Sequence, residues 1–588
     1  MTMARLFVFS VLLLFILGVI TGRTSETNQE IAQIVFISCN KHDREQSYWD
    51  LIASTVEHRN QMKTRITSPG HTLGSCTAIT PVDALVWLGD AVYADNYSLV
   101  GGSFPNSNLE VMRSKFVQQR NAPEYTAFRR TCVRRRDPSQ LKYSDEEENS
   151  ILGVWDDHDM GKNDGGAEYE GKDDVQEIFL DFLGLSSEDP RRKQQGVYSF
   201  EAIPFQSLEV QAGETDNSDD ADHDNKKNHQ DDTVDGKPSI KYLALEQLKR
   251  LYDAAVCVVL LDVRYFRDPA NATRSGDMLG EPQWRWLEER LRDDIAGVNP
   301  QTGRERCALT VIGSGVQIIM DEKVSESWGA FPKSRDRLLM LLRKYHTERV
   351  LFVSGDVHLG EIGMDSTKSA MHTLGYPIIE ATSSGLTHSS AKFIGLPTLI
   401  NVIFPSPRRV GIYVERNFGV LQLTVNSEFK DTWSKGTNEM ERHRLEEYIN
   451  VSISIHSIPK HGQSVLDLTF PLSALTHRSG CHFFNANVDK FGRVVKSKAG
   501  MSQRCSVISE ESYYDKDSII PQHYPSTKPT PFLTFTIQLI QRCVFPTYTL
   551  LQVVSETIKI SVIVGIVLII TLTIYCCYRS TSNKSKVA

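Results

Sequence analysis

The chain predicts an α/β fold with largely parallel sheets and helices packed on them, followed by a helix that spans a membrane. Three observations carry this. Short runs rich in Val, Ile and Leu recur along the first two thirds of the chain, amphipathic stretches stand between some of them, and nineteen uncharged residues, 560–578, lie near the C-terminus. With 588 residues, 40% of them apolar and 23% charged, there is material for one large core or two ordinary ones.

Taken in order, Arg5 precedes an apolar stretch from Leu6 to Ile20, and Thr21 and Gly22 follow. This is the layout of a secretory signal peptide over residues 1–22, and an uncleaved anchor would read similarly. The runs IVFIS, ALVWLG, ILGVW, VCVVLLDV, ALTVIGSG, VLFVSG and PIIEATSSG read as buried strands. EPQWRWLEERLRD, with Trp284, Leu287 and Leu291 at helical spacing, reads as a helix that buries Trp284 in the core. Ten cysteines are too few for a disulfide scaffold in a chain of this length. Cys257, inside an apolar run, is expected to be a buried free thiol, and Cys481 with Cys505 is a candidate disulfide.

The basic run from Arg113 to Arg136 is expected to be helical, either as a solvated face or as a field that draws anionic substrates. Residues 213–236 hold nine acidic residues against two lysines, a balance of -7 in a chain whose formal total is -8. Such a segment reads as a solvated, disordered insertion, with a calcium-binding loop as the sharper alternative. After Asn417, NFGVLQLTV, YINVSISIHSI and SVLDLTFPL read as closing strands, so the catalytic-sized domain is expected to cover 31–475.

Residues 476–557 read as a juxtamembrane stalk, 560–578 as the transmembrane helix and 579–588 as a cytosolic tail. Arg579, Lys584 and Lys586 follow the span immediately and hold the tail inside. A single-pass type I protein of the secretory pathway is expected, its bulk extracellular or lumenal. Asn96, Asn271 and Asn450 open glycosylation sequons on that side, Asn96 close to a motif that argues against a glycan there. Cys576 and Cys577 sit at the inner membrane edge, as acylation sites or as plain lipid-facing thiols. No nucleic-acid partner is expected.

Ligands of α/β sheets gather beyond the carboxyl ends of strands. Cys39 follows IVFIS, Asp90 follows ALVWLG, the succession Asp156, Asp157, His158, Asp159 follows ILGVW, and Asp356 follows VLFVSG. Carboxylates in unbroken succession resist burial unless positive charge sits among them, so a cation is expected. Asp90 can bridge two ions, and Tyr93, three residues on, can return to the same centre as a phenolate. A phenol ionises readily only against strong positive charge, which favours an ion such as ferric iron. Cys39 adds a thiolate.

The motifs SCN (38–40), GDAVYAD (89–95), WDDHDMGKND (155–164), GEPQW (280–284), VIGSGVQ (311–317) and SGDVHLGE (354–361) resemble those of PhoD-type alkaline phosphatases, within the calcineurin-like metallophosphoesterases. The likeness keeps that family's motif order from about Ile34 to about Gly419. It implies a metallophosphoesterase sandwich of two sheets flanked by helices. It further implies a dinuclear site, ferric iron with calcium or other divalent ions, that hydrolyses phosphomonoesters or phosphodiesters with a metal-activated hydroxide.

Carried over by resemblance, Cys39, Tyr93 and His358 hold the iron-like ion, Asp90 bridges, and Asp157, Asn163 and Asp356 serve the second metal. Asp156 competes with Asp157 and Asn163 for that contact, and Gln317 is a weaker candidate. Asp157 and Asp356 stand where the broader superfamily has Asn and His, which favours calcium at the second position. His158 is the candidate proton donor, or else orients Asp157. Asp95, Asp159, Asp164 and Glu361 read as supporting or turn residues, Trp155 as core, and His42, His372 and His388 as ordinary histidines.

The chain departs from the family in lacking a preceding β domain, in its acidic insertion, and in its stalk and membrane span. Three functions follow as expectations. The first is a membrane-tethered phosphoesterase acting on small phosphoesters. The second is a phosphodiesterase of the same chemistry acting on phospholipid headgroups, and the third is a non-catalytic surface receptor that retains the fold.

Overall fold

The computed structural model describes residues 29–60, 82–98, 102–136, 149–205, 240–269, 276–320, 326–366, 373–391, 406–426 and 438–477, with a few isolated positions and two-residue strands beside them. In chain order the elements that frame the site are β1 (Gln29–Ile37), α1 (Tyr48–Asn60), β2 (Ala84–Leu88), β3 (Asn96–Ser98), β4 (Gly102–Phe104), α2 (Leu109–Arg120), α3 (Pro123–Thr131), β5 (Ile151–Val154), α4 (Asp157–Met160), α5 (Lys172–Leu183) and β6 (Ser199–Ile203). They continue with α6 (Ile240–Leu251), β7 (Tyr252–Leu261), α7 (Gly280–Arg290), β8 (Glu305–Ser314), α8 (Pro332–Lys344), β9 (Val350–Ser354), β10 (Gly360–Asp365) and β11 (Ile378–Ser383). The last are β12 (Arg409–Tyr413), β13 (Asn417–Val425), α9 (Asn438–Tyr448), β14 (Ile449–Ser457) and β15 (Ser464–Pro471).

Two multi-stranded sheets result, flanked by helices. The first has six strands in the order β15-β14-β13-β1-β2-β5, and the second seven in the order β12-β10-β11-β9-β8-β7-β6. β1, β2 and β5 run parallel, as do β7, β8, β9 and β11, so their carboxyl ends collect along one edge of each sheet. The flanks differ from the expected largely parallel arrangement: β13, β14 and β15 are antiparallel, and so are the pairs of β10 and of β6. The sheets are therefore mixed.

The sheets meet face to face through small and large partners. A Cβ on Gly313 of β8 would stand 2.9 Å from Cδ2 of Leu88 in β2, a distance at which no side chain fits. Outside the sandwich, α1, α3 and α5 close one flank with aromatic packing: Trp49 lies 5.8 Å from Trp87 and 4.7 Å from Tyr125, and Trp87 lies 5.9 Å from Phe182. Trp155 and Trp284 are fully buried, as expected of core residues.

Two expectations are corrected. Cys257 is not a free thiol; it pairs with Cys307, whose Cα atom lies 5.6 Å from its own. The basic run forms α2 and α3, but much of its charge is held by partners: Arg113 meets Asp181 at 2.5 Å, Arg134 meets Asp83 at 3.2 Å, and Arg120 donates to the Phe182 carbonyl.

Among the described residues no helix is long and apolar enough to cross a membrane. The expected signal peptide, the span at 560–578, the tail, nearly all of the acidic insertion and of the stalk, His372, Asn271, Cys481, Cys505, Cys576 and Cys577 lie outside the described residues. Of the other sequons, the Asn96 amide donates to the Pro105 carbonyl and Asn450 sits within β14.

Candidate metal centre

Four strands deliver acid or thiol at one offset. Cys39, Asp90, Asp156 and Asp356 each stand two residues beyond the last residue of β1, β2, β5 and β9. The backbone there is unusual: φ is 61° at Cys39, 52° at Asp90, 71° at Asp356 and 57° at His358. A residue with a Cβ pays about 1–2 kcal/mol in this left-handed region, where glycine would be free of strain. These side chains are kept against the preference of their own backbone, a pattern that concentrates at functional sites. Gly89, at φ 84°, shows the converse, since a Cβ there would lie 2.3 Å from Asp156 Cβ.

The acidic succession starts a helix. Asp156 caps α4, and Asp159 reaches back so that Oδ2 accepts the Asp156 amide at 3.0 Å while Oδ1 accepts the Val92 amide at 2.9 Å. Asp159 thereby ties the β5 loop to the β2 loop, and burial pushes its carboxyl up to about 7. Asp157 accepts the amides of His158 at 2.9 Å and Asp164 at 2.7 Å.

Three sets of ligand atoms lie within 4.8 Å of one another: Cys39, Asp90 and His358; Asp90, Asp157 and His158; and Asp156, Asp157 and Asp356. Asp90 belongs to the first two sets, the position a bridging carboxylate needs. Tyr93 Oη lies 3.1 Å from Asp90 Oδ2 and 3.1 Å from His358 Nε2. Ser384 Oγ touches Cys39 Sγ at 3.0 Å and accepts the His358 amide at 2.7 Å. His158 Nδ1 is 2.9 Å from Asp95 Oδ2, and its ring stacks on Tyr93 with centroids 4.1 Å apart. Asn163 is half-buried on the same loop, and among the described residues its side-chain amide makes no hydrogen bond.

Gln317 gives its amide nitrogen to neighbours, while its Oε1 is buried without a hydrogen-bond partner. It donates to Glu361 and Thr382 at 2.9 Å each, and Glu361 also pairs with Arg409 at 2.5 Å, so both belong to a network that fastens β10 to its neighbours.

Two site residues escaped the sequence reading. His388, set aside as an ordinary histidine, has Nε2 at 2.7 Å from Tyr93 Oη and 3.2 Å from His358 Nε2. Arg264 is fully buried, binds Asp156 through Nε, approaches Asp157 at 3.8 Å and meets Glu326 at 2.6 Å on its far side. Arg264 stands three residues beyond β7 and His388 five beyond β11, outside the two-residue offset of the other four.

Arg264 supplies part of the positive charge that the acidic succession demands. With His158 it outweighs burial at Asp157 and holds that carboxyl down to about 2. It does not suffice for the rest. Burial drives Cys39, Asp90, Tyr93 and Asp356 well above their ordinary values, and neighbouring carboxylates add to the shift at each. Asp90 Oδ1 and Asp156 Oδ2 are buried without a hydrogen-bond partner. Unpaired buried carboxylate oxygens are costly. An added cation fits this centre.

No family model matches the chain, and no curated protein matches it. Among solved structures it is similar to PhoD, at 13% identity over 75% of this chain and 73% of that one with a TM-score of 0.40. It is also similar to GAP50, the anchor in the inner membrane complex of Plasmodium, at 10% identity over 77% and 93% with a TM-score of 0.33.

Proposed function

We propose that this chain is a membrane-tethered, dinuclear-metal phosphoesterase that acts on phosphomonoesters, phosphodiesters or both. The observation that carries the reading is the set Cys39, Asp90, Asp356 and His358, held in left-handed backbone at strand ends around a buried Asp90 oxygen that no protein group satisfies. Cys39, Tyr93 and His358 would hold one ion, Asp157, Asn163 and Asp356 the other, and Asp90 both. Ferric iron suits the first donor set and calcium the second. When bound, such ions supply Lewis acidity toward phosphoryl oxygens and lower the pKa of water.

The protein's own part centres on His158. Asp95 takes Nδ1 and the Tyr93 ring fixes the plane, so Nε2 is the nitrogen left to give a proton to the leaving oxygen. Lys115 Nζ donates to three consecutive carbonyls, those of Tyr93, Ala94 and Asp95, at 3.0–3.2 Å and holds the loop that carries two of these groups. Arg264 pairs with Asp156, and Asp157 of one sheet and Asp356 of the other would be left to the second ion.

The tether rests on the sequence, with the apolar run 560–578 followed by Arg579, Lys584 and Lys586 and with residues 1–22 as a signal peptide. It places the catalytic domain extracellularly or in a lumen. The Cys257–Cys307 bond supports an oxidising compartment.

A second reading, action on phospholipid headgroups, is favoured by one surface feature. Phe104 is 46% exposed and Val111 41% exposed, and Phe104 adjoins Ser103, which hydrogen-bonds Asp95 beside His158. Exposed apolar side chains beside the loop that meets Asp95 suit a substrate in a bilayer.

The test is turnover by the full chain in detergent micelles of p-nitrophenyl phosphate, bis-p-nitrophenyl phosphate and a vesicle phospholipid, with iron and calcium supplied. Turnover that a chelator abolishes is expected. His158→Ala should cost about 100-fold on an alkyl ester and far less on a nitrophenyl ester, whose leaving group needs no proton. No turnover of any of the three would leave the receptor reading.

A further inference from the structure

His388 extends the donor set. Its Nδ1 lies 3.2 Å from Thr387 Oγ1, a hydroxyl that also accepts the Lys41 amide at 2.7 Å and reaches the Cys39 carbonyl at 3.4 Å. The tautomer that closes this network has Nδ1–H donating to Thr387, the hydroxyl donating to Cys39, and a bare lone pair on Nε2. That lone pair points at Tyr93 Oη at 2.7 Å, and Asp90 Oδ2 stands 3.1 Å from the same oxygen. Both are acceptors, and a phenol carries one proton. In this tautomer, and with Asp90 in the ionised form a metal ligand takes, one of the two contacts is left with lone pairs facing each other.

A cation removes that conflict. Tyr93 Oη, His358 Nε2 and His388 Nε2 form a triangle with edges of 2.7, 3.1 and 3.2 Å. Donors on one face of an octahedral shell about 2.1 Å from an ion stand about 3 Å apart. A second-ring hydrogen bond of the kind His388 makes to Thr387 is also the usual means of fixing a metal-bound imidazole.

We propose that His388 is a further metal-binding residue of the centre, its Nε2 completing a triangular face with Tyr93 and His358. The inference rests on the metal reading above and adds to it a second imidazole. It makes the Cys39 side of the centre rich in nitrogen and sulfur, opposite an all-oxygen side formed by Asp157 and Asp356, and so a site for a transition-metal ion.

The experiment titrates ferric iron, and separately zinc, into the metal-stripped full chain and its His388→Ala and His388→Gln variants, reading bound metal by elemental analysis and affinity by chelator competition. Thr387→Val serves as the milder control. Both His388 variants should lose at least about tenfold in affinity for the ion, more than Thr387→Val. Wild-type affinity in either folded variant overturns the proposal, and so does recovery in His388→Gln, which keeps a hydrogen bond to Tyr93 but no imidazole. X-ray absorption of the loaded wild-type protein gives a second readout that needs no variant: two imidazole neighbours are expected, and one overturns it. A wild-type chain that takes up neither metal would instead overturn the metal reading itself.

Discussion

At the amino ends of β7, β8 and β9, Arg349 stands 3.1 Å from Glu348 and 3.1 Å from Glu446 and pairs with Glu305; Arg442 also meets Glu305, and Tyr252 donates to Glu446 at 2.5 Å. At the opposite edge stand Asp90, Asp156, Asp157 and Asp356, of which Asp156 and Asp157 meet the guanidinium of Arg264, which Glu326 also holds. Both clusters are buried. Burial pushes the carboxyls of Glu348, Asp90 and Asp356 upward, and their partners decide whether they stay raised. At Glu348 the hydrogen bonds of His477 and the charge of Arg349 overcome burial and hold the group down to about 2. At Asp90 and Asp356 burial wins and nearby acids reinforce it. The first cluster closes on itself and fastens the sheet to α9. The second is short of positive charge, the condition of a site built for something not in the chain.

The contrast predicts that the two clusters fail in different ways. Asp90→Asn should lose chelator-sensitive turnover by more than about 100-fold, because it removes the shared donor. Its metal-free melting temperature should hold or rise, since an unpaired buried acid has gone. A drop in that temperature would mean that Asp90 is structural. Arg349→Met should do the reverse: stability falls by about 3–5 kcal/mol in denaturant titrations, because Glu305 and Glu446 are left buried without it. Turnover per folded molecule should not change.

The pH dependence sharpens the same point. A carboxyl whose folded pKa is depressed contributes stability above its unfolded value, and that contribution is lost as pH falls toward the folded one. For Glu348 this window runs from about 4.5 down to about 2. Comparison of melting temperatures of the wild type and Glu348→Gln between pH 6 and pH 3 should show their difference shrinking as acid is added. A constant difference would remove the ion pair from the account. Lys115→Met should have the smallest effect, about tenfold in kcat with little change in KM, because it loosens the Tyr93–Asp95 loop and touches no reacting atom.

Much of this centre was legible because parallel strands announce themselves. Cys39, Asp90, Asp156 and Asp356 each stand two residues beyond the end of a largely apolar strand, a pattern that needs no partner to be seen. Strands of the same kind precede Arg264 and His388, but each looks ordinary alone: an arginine between Val263 and Tyr265, a histidine between Thr387 and Ser389. Only the fold shows what each faces. The antiparallel flanks were harder, since GEIGMD and RVGIY carry no clean alternation and their place in the sheet is set by distant partners. The Cys257–Cys307 bond likewise joins residues fifty apart in the chain, a pairing that one sequence does not print.

Elemental analysis of the purified full chain, dialysed against metal-free buffer, tests the central claim most directly. At least one tightly held ion per molecule is predicted for the wild type, and none or a much weaker one for an equally folded Asp90→Ala. Metal-free wild-type protein that stays metal-free when iron and calcium are offered, or equal content in the two proteins, would contradict it.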